Sequence, residues 1–194
     1  MLFRSPPDTT GLIAIGNPPF GRNNALSVPF FNHAATMCDT IAFIVPRSWR
    51  KWSVTNRLDL GFRCVRDVDL HVDYVDAHGD PVAAKGNLRT CLQIWQQSHR
   101  SRQPVVIPPS RWVQKCAPED ADVAIRVFGY GCGTVLTKFP RVPNTTLAFL
   151  KVRNRTVIPT LRDIDFSVYF DNVAYTQALA FSEIRHALRE RLGD

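Results

Sequence analysis

Residues 11–21 read GLIAIGNPPFG, and this stretch decides the fold class of the 194-residue chain. Its first six residues form a short continuous apolar run, which predicts a strand over residues 11–16 buried on both faces. Pro18 and Pro19 end the strand because neither proline can donate a hydrogen bond to a neighbouring strand. A strand of this kind is typical of a sheet with parallel members, whose faces are both covered by helices.

Helix and strand patterns alternate after this strand. Ser27 is predicted as the N-cap of a helix, with Phe30, Ala34 and Met37 spaced to share its buried face. The next segments are predicted, in order, as strand, helix, strand and strand: residues 40–45, 47–56, 62–68 and 91–96. Strands that alternate with helices and close in a hairpin indicate an α/β sheet with parallel members.

The composition changes near Ser98. Four prolines and three arginines fall between residues 98 and 122, which predicts a loop or linker. Strands are predicted over residues 122–136 and 145–152, with a tight turn or bulge at the glycines of residues 129–133. The chain is predicted to end in a helix over residues 174–192.

Composition limits the classes of protein to which this chain can belong. Its 24 Lys and Arg residues outnumber its 17 Asp and Glu residues, so the formal net charge is +7. Apolar residues make up 45% of the chain, which suits a buried core and excludes wholesale disorder. No apolar run approaches the roughly 20 residues that a membrane span needs. Pro6 and Pro7 interrupt the region in which a signal peptide is apolar.

The cysteines indicate the compartment. The chain has five, an odd number, widely scattered and without a Cys-x-x-Cys pair. This pattern favours a reducing compartment over a disulfide framework or a zinc ribbon, so we expect a basic cytoplasmic protein that does not enter a membrane. The positive charge favours a polyanionic partner such as nucleic acid, although plain colloidal solubility explains it equally well.

Asn17 follows the predicted strand directly, at the carboxyl end where parallel sheets bind their ligands. An exocyclic amine of a nucleobase has two N–H donors, which the side-chain oxygen of Asn17 and the main-chain carbonyl of Pro18 are suited to accept. Both acceptors draw the hydrogens and leave the nitrogen lone pair free to attack. Phe20 offers a flat face on which a base can stack after leaving the helix.

The segment from Ile15 to Gly21 resembles the catalytic motif of S-adenosylmethionine-dependent amino-methyltransferases, especially those acting on N6 of adenine. The resemblance continues through Phe30–Ala34, Ile41–Arg47 and Cys91–Trp95, and so covers about residues 11–97. It implies a Rossmann-like sheet, S-adenosylmethionine as cofactor and DNA or RNA as substrate. Asn17, Pro18, Pro19 and Phe20 would form the catalytic motif, with Asn17 and Pro18 binding the amine. The same residue pattern occurs in methyltransferases of guanine N2, and a similar one in those of glutamine.

The cofactor-binding residues that the resemblance implies are not found. The family has a glycine-rich turn after its first strand and an acidic residue after its second, but only 16 residues precede Asn17. Residues 127–134 are the one candidate for a permuted turn, and Pro140 and Pro143 exclude the long helix that should follow. We therefore expect the carboxyl-terminal half of a methyltransferase, with the cofactor bound mainly by a part outside this chain.

This expectation has a consequence for the first strand. The strand would be central in the whole enzyme, so in this half it exposes an unpaired edge and an apolar face. We expect either self-association or a partner chain that supplies the cofactor-binding half. No metal is expected, because His71, Asp73, Asp76, His78 and Asp80 match no zinc or calcium spacing and suit a polar turn.

Several cations are candidates for contacts with nucleic acid. A cationic stretch interleaved with Trp49 and Trp52 suits a groove in which bases stack and phosphates are neutralised. A solvated helix face with both tryptophans in the core is the alternative interpretation. The predicted nucleic-acid-binding residues are Arg22, Arg47, Arg50, Lys51, Arg100 and Arg102.

The expected organisation is an α/β protein whose Rossmann-like methyltransferase sheet is incomplete, followed by a mixed β/α extension. Its parts are a catalytic half-domain, a linker and a region suited to target recognition: residues 1–97, 98–122 and 123–194. The expected function is methyl transfer to N6 of adenine in DNA or RNA. The alternatives are methyl transfer to guanine N2 or glutamine, and a non-catalytic nucleic-acid-binding remnant.

Overall fold

The computed structural model describes residues 11–83 and 86–193 of a mixed α/β protein. Its contacts divide the chain into two compact units, one ending at Val105 and the other beginning at Val106. Each unit has its own four-stranded sheet. The division lies inside the segment predicted as a linker, residues 98–122.

The sheet of the first unit contains both parallel and antiparallel strands. Its strand order is β1-β2-β4-β3, in which β1 and β2 are parallel and the other pairs antiparallel. The predicted strands near residues 40, 62 and 91 are all present. In chain order the elements are β1 (Ile13–Gly16), α1 (Ser27–Ala34), β2 (Thr40–Pro46), α2 (Trp52–Thr55), β3 (Phe62–Leu70) and β4 (Thr90–Gln97).

One face of this sheet is covered by α1 and the segment after β2. Phe31 of α1 is fully buried and makes edge-to-face contacts with four aromatic rings. The ring centroids lie 5.4–6.4 Å from that of Phe31, the range in which aromatic pairs attract. The four rings come from β2, the turn after it, β3 and β4: Phe43, Trp49, Phe62 and Trp95.

The buried face of α1 differs from the predicted one. Phe31 and Ala34 are buried, whereas Phe30 is 53% exposed. Ser27 is the first residue of the helix rather than its N-cap. Its hydroxyl accepts a buried hydrogen bond from Nε1 of Trp49 at 3.3 Å, which joins the start of α1 to the turn after β2.

The opposite face of the sheet is apolar and open. Strand alternation and register place Ile13, Ile15, Ala42, Ile44 and Ile94 on it. Ile13 is 59% exposed and Ile15 is 80% exposed, and none of the five residues belongs to the buried cluster. Because these side chains are exposed, the prediction that the first strand is buried on both faces is wrong. Within the described residues β1 also pairs only with β2, so it is the edge strand of this sheet.

The second unit packs an antiparallel sheet against helices. Its strand order is β5-β8-β6-β7, and its core contains Ile125, Leu150, Leu161 and Ile184. In chain order the elements are β5 (Val113–Lys115), β6 (Val123–Arg126), β7 (Val135–Leu136), β8 (Leu147–Val152), α3 (Val157–Asp163), α4 (Ser167–Phe170) and α5 (Phe181–Leu192). No helix of the described residues is long and apolar enough to cross a membrane.

The turn predicted at the glycines of residues 129–133 is present and separates β6 from β7. Two boundaries in the second unit differ from those predicted. β5 lies inside the predicted linker. The last helix begins at Phe181 rather than near residue 174. A carboxylate oxygen of Glu183 accepts a hydrogen bond from the backbone N–H of Ala180 at 2.7 Å, which satisfies a donor at the helix start.

We expect Phe31→Ala to lower the free energy of unfolding of the first unit by about 3–5 kcal/mol, because it leaves a cavity among the aromatic rings. Phe30→Ala is the matched control, since the adjacent ring is exposed and its removal should change stability by about 0.5 kcal/mol or less. Denaturant unfolding of both variants measures the difference. Equal losses would contradict the assignment of Phe31 as the packing centre.

Candidate functional site

Asn17 lies at the end of the sheet where three strands have their carboxyl ends. It follows β1 directly, and β1, β2 and β3 end on the same side because these strands run in the same direction. Its side chain is exposed, and among residues 11–83 and 86–193 it makes no hydrogen bond. Pro18 is buried and Pro19 is exposed. The amide of Asn17 is therefore open to a ligand.

The loop after Asn17 has a defined conformation. Gly21 has φ 66°, and a Cβ there would come within 2.8 Å of Cγ of Leu26, so no other residue fits without strain. The backbone oxygen of Phe20 accepts hydrogen bonds from the N–H groups of Leu26 and Ser27 at 3.3 and 3.4 Å. Asn24 is buried and donates to Oγ of Ser48 at 3.2 Å, which fastens this loop to the one after β2.

An aromatic side chain from the β3–β4 connection lies against the motif. The rings of Phe20 and Tyr74 are 6.4 Å apart at an interplanar angle of 77°, an edge-to-face pair, and both residues are half-buried. The sequence does not single out Tyr74 as a site residue. An aromatic residue in the mostly polar β3–β4 connection gives no indication of the ring that it contacts.

Two of the predicted nucleic-acid-binding arginines take part in an ion-pair network. An Nη2 atom of Arg47 lies 2.8 Å from Asp69, and Nη2 of Arg50 lies 2.7 Å from the same carboxylate. Arg50 also forms a two-pronged pair with Asp67 through Nε and Nη2. These contacts tie the turn after β2 to β3, so both guanidinium groups have anionic partners inside the unit.

The network extends to the buried face of the sheet. Nε2 of Gln93 donates to Asp67 at 2.8 Å, and Nε1 of Trp95 donates to Oε1 of Gln93 at 3.0 Å. Burial opposes the charge on Asp67, but hydrogen bonds from Arg50 and Gln93 outweigh it and hold the pKa of this carboxyl below its ordinary value. Asp67 therefore remains ionised while it orders the turn after β2.

Arg102 supports the fold of the first unit. Its guanidinium donates to four backbone oxygens, those of Thr55, Leu58, Asp59 and Phe62, at distances of 2.6–3.4 Å. It also lies over the ring of Trp95, 5.2 Å from the centroid. Burial lowers the pKa of the Arg102 guanidinium. The planar five-donor group satisfies carbonyls at the end of α2 that other side chains do not reach.

The three remaining predicted cations lie at opposite ends of the strands. Arg22 is exposed in the loop after Asn17, and Lys51 is half-buried in the segment after β2. Arg100 is exposed but follows β4, whose carboxyl end lies at the amino-terminal end of β2. The seven residues of β2 separate the two ends of the sheet by about 20 Å. Of these three cations, Arg22 and Lys51 therefore lie at the same end as Asn17, and Arg100 lies at the other.

The cluster of His and Asp residues between β3 and β4 forms a polar turn. Oδ1 of Asp76 accepts hydrogen bonds from the backbone N–H groups of His78 and Asp80 at 2.8 and 3.0 Å. The carboxylate of Asp76 thus closes the turn.

Residues 129–133 do not form the glycine-rich turn of a nucleotide-binding strand-turn-helix. The loop leads from β6 into the two-residue strand β7 rather than into a helix. Residues 123–136 therefore do not form the strand-turn-helix whose helix N-terminus would bind a cofactor.

No family model, curated protein or solved structure matches this chain. Its function must therefore be argued from the residues at the carboxyl ends of β1 and β3.

Arg102→Ala should lower the free energy of unfolding by about 3 kcal/mol, because several carbonyls lose a charged donor. Arg102→Lys should recover little, since an ammonium cannot reproduce the planar fork. Arg100→Ala, a nearby exposed arginine, should change stability by about 0.5 kcal/mol or less. Urea unfolding of the three variants measures these differences, and full recovery by lysine would show that charge alone matters.

Proposed function

We propose that this chain is the amine-binding half of an S-adenosylmethionine-dependent methyltransferase that acts on N6 of adenine in DNA or RNA. The observation that carries the proposal is the exposed Asn17 side chain, which makes no hydrogen bond within the described residues and lies at the carboxyl end of a parallel strand. In parallel sheets ligands bind at the carboxyl ends of the strands.

The residues around Asn17 suit a planar amine. The side-chain oxygen of Asn17 and the main-chain carbonyl of Pro18 are two acceptors, which match the two N–H donors of the adenine amine. Phe20 and Tyr74 form an aromatic pair beside them, against which the base can stack. The Asn24–Ser48 hydrogen bond and Gly21 hold the loop in place, so these groups are ordered before the base arrives.

The sheet supports the same proposal. Two adjacent parallel strands followed by an antiparallel hairpin form a mixed sheet with β1 at one edge. A Rossmann-like methyltransferase sheet would continue beyond that edge with further parallel strands. The open apolar face of the sheet lies opposite the face that α1 covers. In a Rossmann-like methyltransferase a second layer of helices would cover it.

The residues that the structure describes do not fit a site for S-adenosylmethionine. The glycines of residues 129–133 lead into a strand, and their loop is in the second unit. We therefore assign the cofactor to another polypeptide segment and restrict the role of this chain to holding and orienting the amine. In this proposal that segment pairs with β1.

The cysteines support a reducing, cytoplasmic location. Cys38, Cys64, Cys91, Cys116 and Cys132 form no disulfide among the described residues. Burial raises the pKa of the Cys91 thiol to about 12, so this thiol stays protonated at neutral pH.

We expect the chain to bind an oligonucleotide with adenine at one position about tenfold more tightly than one with purine there, because purine lacks the exocyclic amine. Asn17→Ala should abolish this preference without changing stability, since the side chain is exposed. Asn87→Ala, an exposed asparagine in the β3–β4 connection, is the control and should keep it. Fluorescence anisotropy with single-stranded DNA and RNA probes measures the affinities.

Equal binding of adenine and purine probes by the unaltered chain would contradict the proposal. A preference for guanine over inosine would indicate a guanine-N2 enzyme instead. Binding without any base preference would favour a non-catalytic remnant. Labelled-methyl assays with nucleic acid and then with protein substrates separate the acceptor classes once the cofactor-binding segment is supplied.

The open edge of β1 gives a separate prediction. The chain alone should self-associate as its concentration rises, because Ile13 and Ile15 present an apolar surface beside a strand edge that has no partner among the described residues. Ile15→Lys should weaken this association at least tenfold, and Val142→Lys, at an exposed valine of the second unit, should not. Sedimentation velocity measures both, and a monodisperse monomer at all concentrations would contradict the assignment of this edge.

A further inference from the structure

The turn between β6 and β7 is a tightly bonded loop that depends on three glycines. Gly129, Gly131 and Gly133 have φ values of 79°, 73° and 90°, a region that other residues rarely adopt. The N–H of Gly133 donates to the oxygen of Arg126 at 2.7 Å, and the N–H of Arg126 donates to the oxygen of Thr134 at 2.9 Å. These reciprocal bonds close the base of the loop.

The loop is also fastened to the rest of the second unit. The N–H of Gly129 donates to the oxygen of Gln177 at 3.0 Å, and Phe128 forms an isolated bridge with Ala178. Cys132 is buried in the core cluster of the unit. A Cβ on Gly133 would come within 3.1 Å of Phe166, so the loop packs closely on its support. The loop is therefore held rigidly at both ends.

This rigid loop presents aromatic side chains to solvent. Tyr130, between the first two glycines, is 99% exposed, and Phe128 is 49% exposed. A side chain as exposed as Tyr130 buries no area and so adds nothing to the packing of the unit. An aromatic ring that an ordered backbone holds in solvent is a surface on which a planar nucleobase can stack.

The two rings border an open groove of about 520 Å³ that also contains a cation. The side chain of Arg126 crosses Gly131, where a Cβ would lie only 3.4 Å from its Cδ. The side chain of Arg126 therefore lies against the backbone of Gly131, on the floor of the groove. Hydroxyl-bearing Thr134 and Thr146 complete the lining, which contains no carboxylate.

We propose that this groove binds a single-stranded segment of nucleic acid, with bases stacked on Tyr130 and Phe128 and a phosphate paired with Arg126. Every base has a π-face, so aromatic platforms of this kind bind without strong sequence preference. Guanidinium groups pair with phosphate oxygens, and the Thr134 hydroxyl can donate to them, whereas that of Thr146 already donates to Asn144. The inference shares with the proposed function only the class of its ligand, because Asn17 lies in the other unit.

The test uses labelled oligothymidylate and oligouridylate, which have no exocyclic amine and so do not engage the groups proposed at Asn17. Tyr130→Ala should weaken binding of these probes by about fivefold to a hundredfold, while Tyr130→Phe, which keeps the ring, should bind normally. Tyr175→Ala is the control, an exposed tyrosine outside the groove. Arg126→Gln should reduce the salt dependence of binding by about one phosphate contact.

The two arms distinguish DNA from RNA, since a preference for uridylate would indicate recognition of the 2′-hydroxyl. Unchanged affinity of Tyr130→Ala, equal losses in Tyr130→Ala and Tyr175→Ala, or no binding of either probe would overturn the inference. Tighter binding of a duplex than of the single strands would also overturn it. Asn17→Ala should bind both probes normally, so failure of the groove and failure of the amine site give different results.

Discussion

The packing of Phe31 among four aromatic rings is the contact on which the first unit depends. It joins α1 to every strand of the sheet except β1 and to the turn that contains Trp49. Because α1 begins where the loop after Asn17 ends, this packing also sets the position of the loop. The candidate site is therefore ordered by a contact on the covered face of the sheet, while the side chain of Asn17 stays exposed to solvent.

The same packing covers only one face of the sheet. Ile13 and Ile15 have the residue types of a buried strand, yet both are exposed. Their sequence is thus suited to a larger assembly than the described residues form, since an apolar face and a free strand edge are costly to leave in water. The proposed amine-binding half and its complementary segment account for this mismatch in physical terms.

Electrostatic partners separate cations that look alike in the sequence. Arg47 and Arg50 neutralise Asp67 and Asp69, and Arg102 satisfies backbone carbonyls. Among the described residues, Arg22 and Arg100 lie outside that network. A contact with nucleic acid at Arg47 or Arg50 would compete with an existing carboxylate, so charge in a sequence overstates the charge available to a ligand.

The sequence by itself determined the strands β1, β2, β3 and β4, the end of β1 at the proline pair, and the position of Asn17 directly after that strand. Continuous apolar runs and prolines act locally, so their effects can be read from neighbouring residues. Tertiary structure alone decided that Phe31 rather than Phe30 is buried, that Tyr74 lies against Phe20, and which arginines have partners. It also decided that the glycines between β6 and β7 hold an aromatic ring in solvent. Each of these outcomes depends on a contact between residues far apart in the chain, and the local pattern carries no information about such a contact.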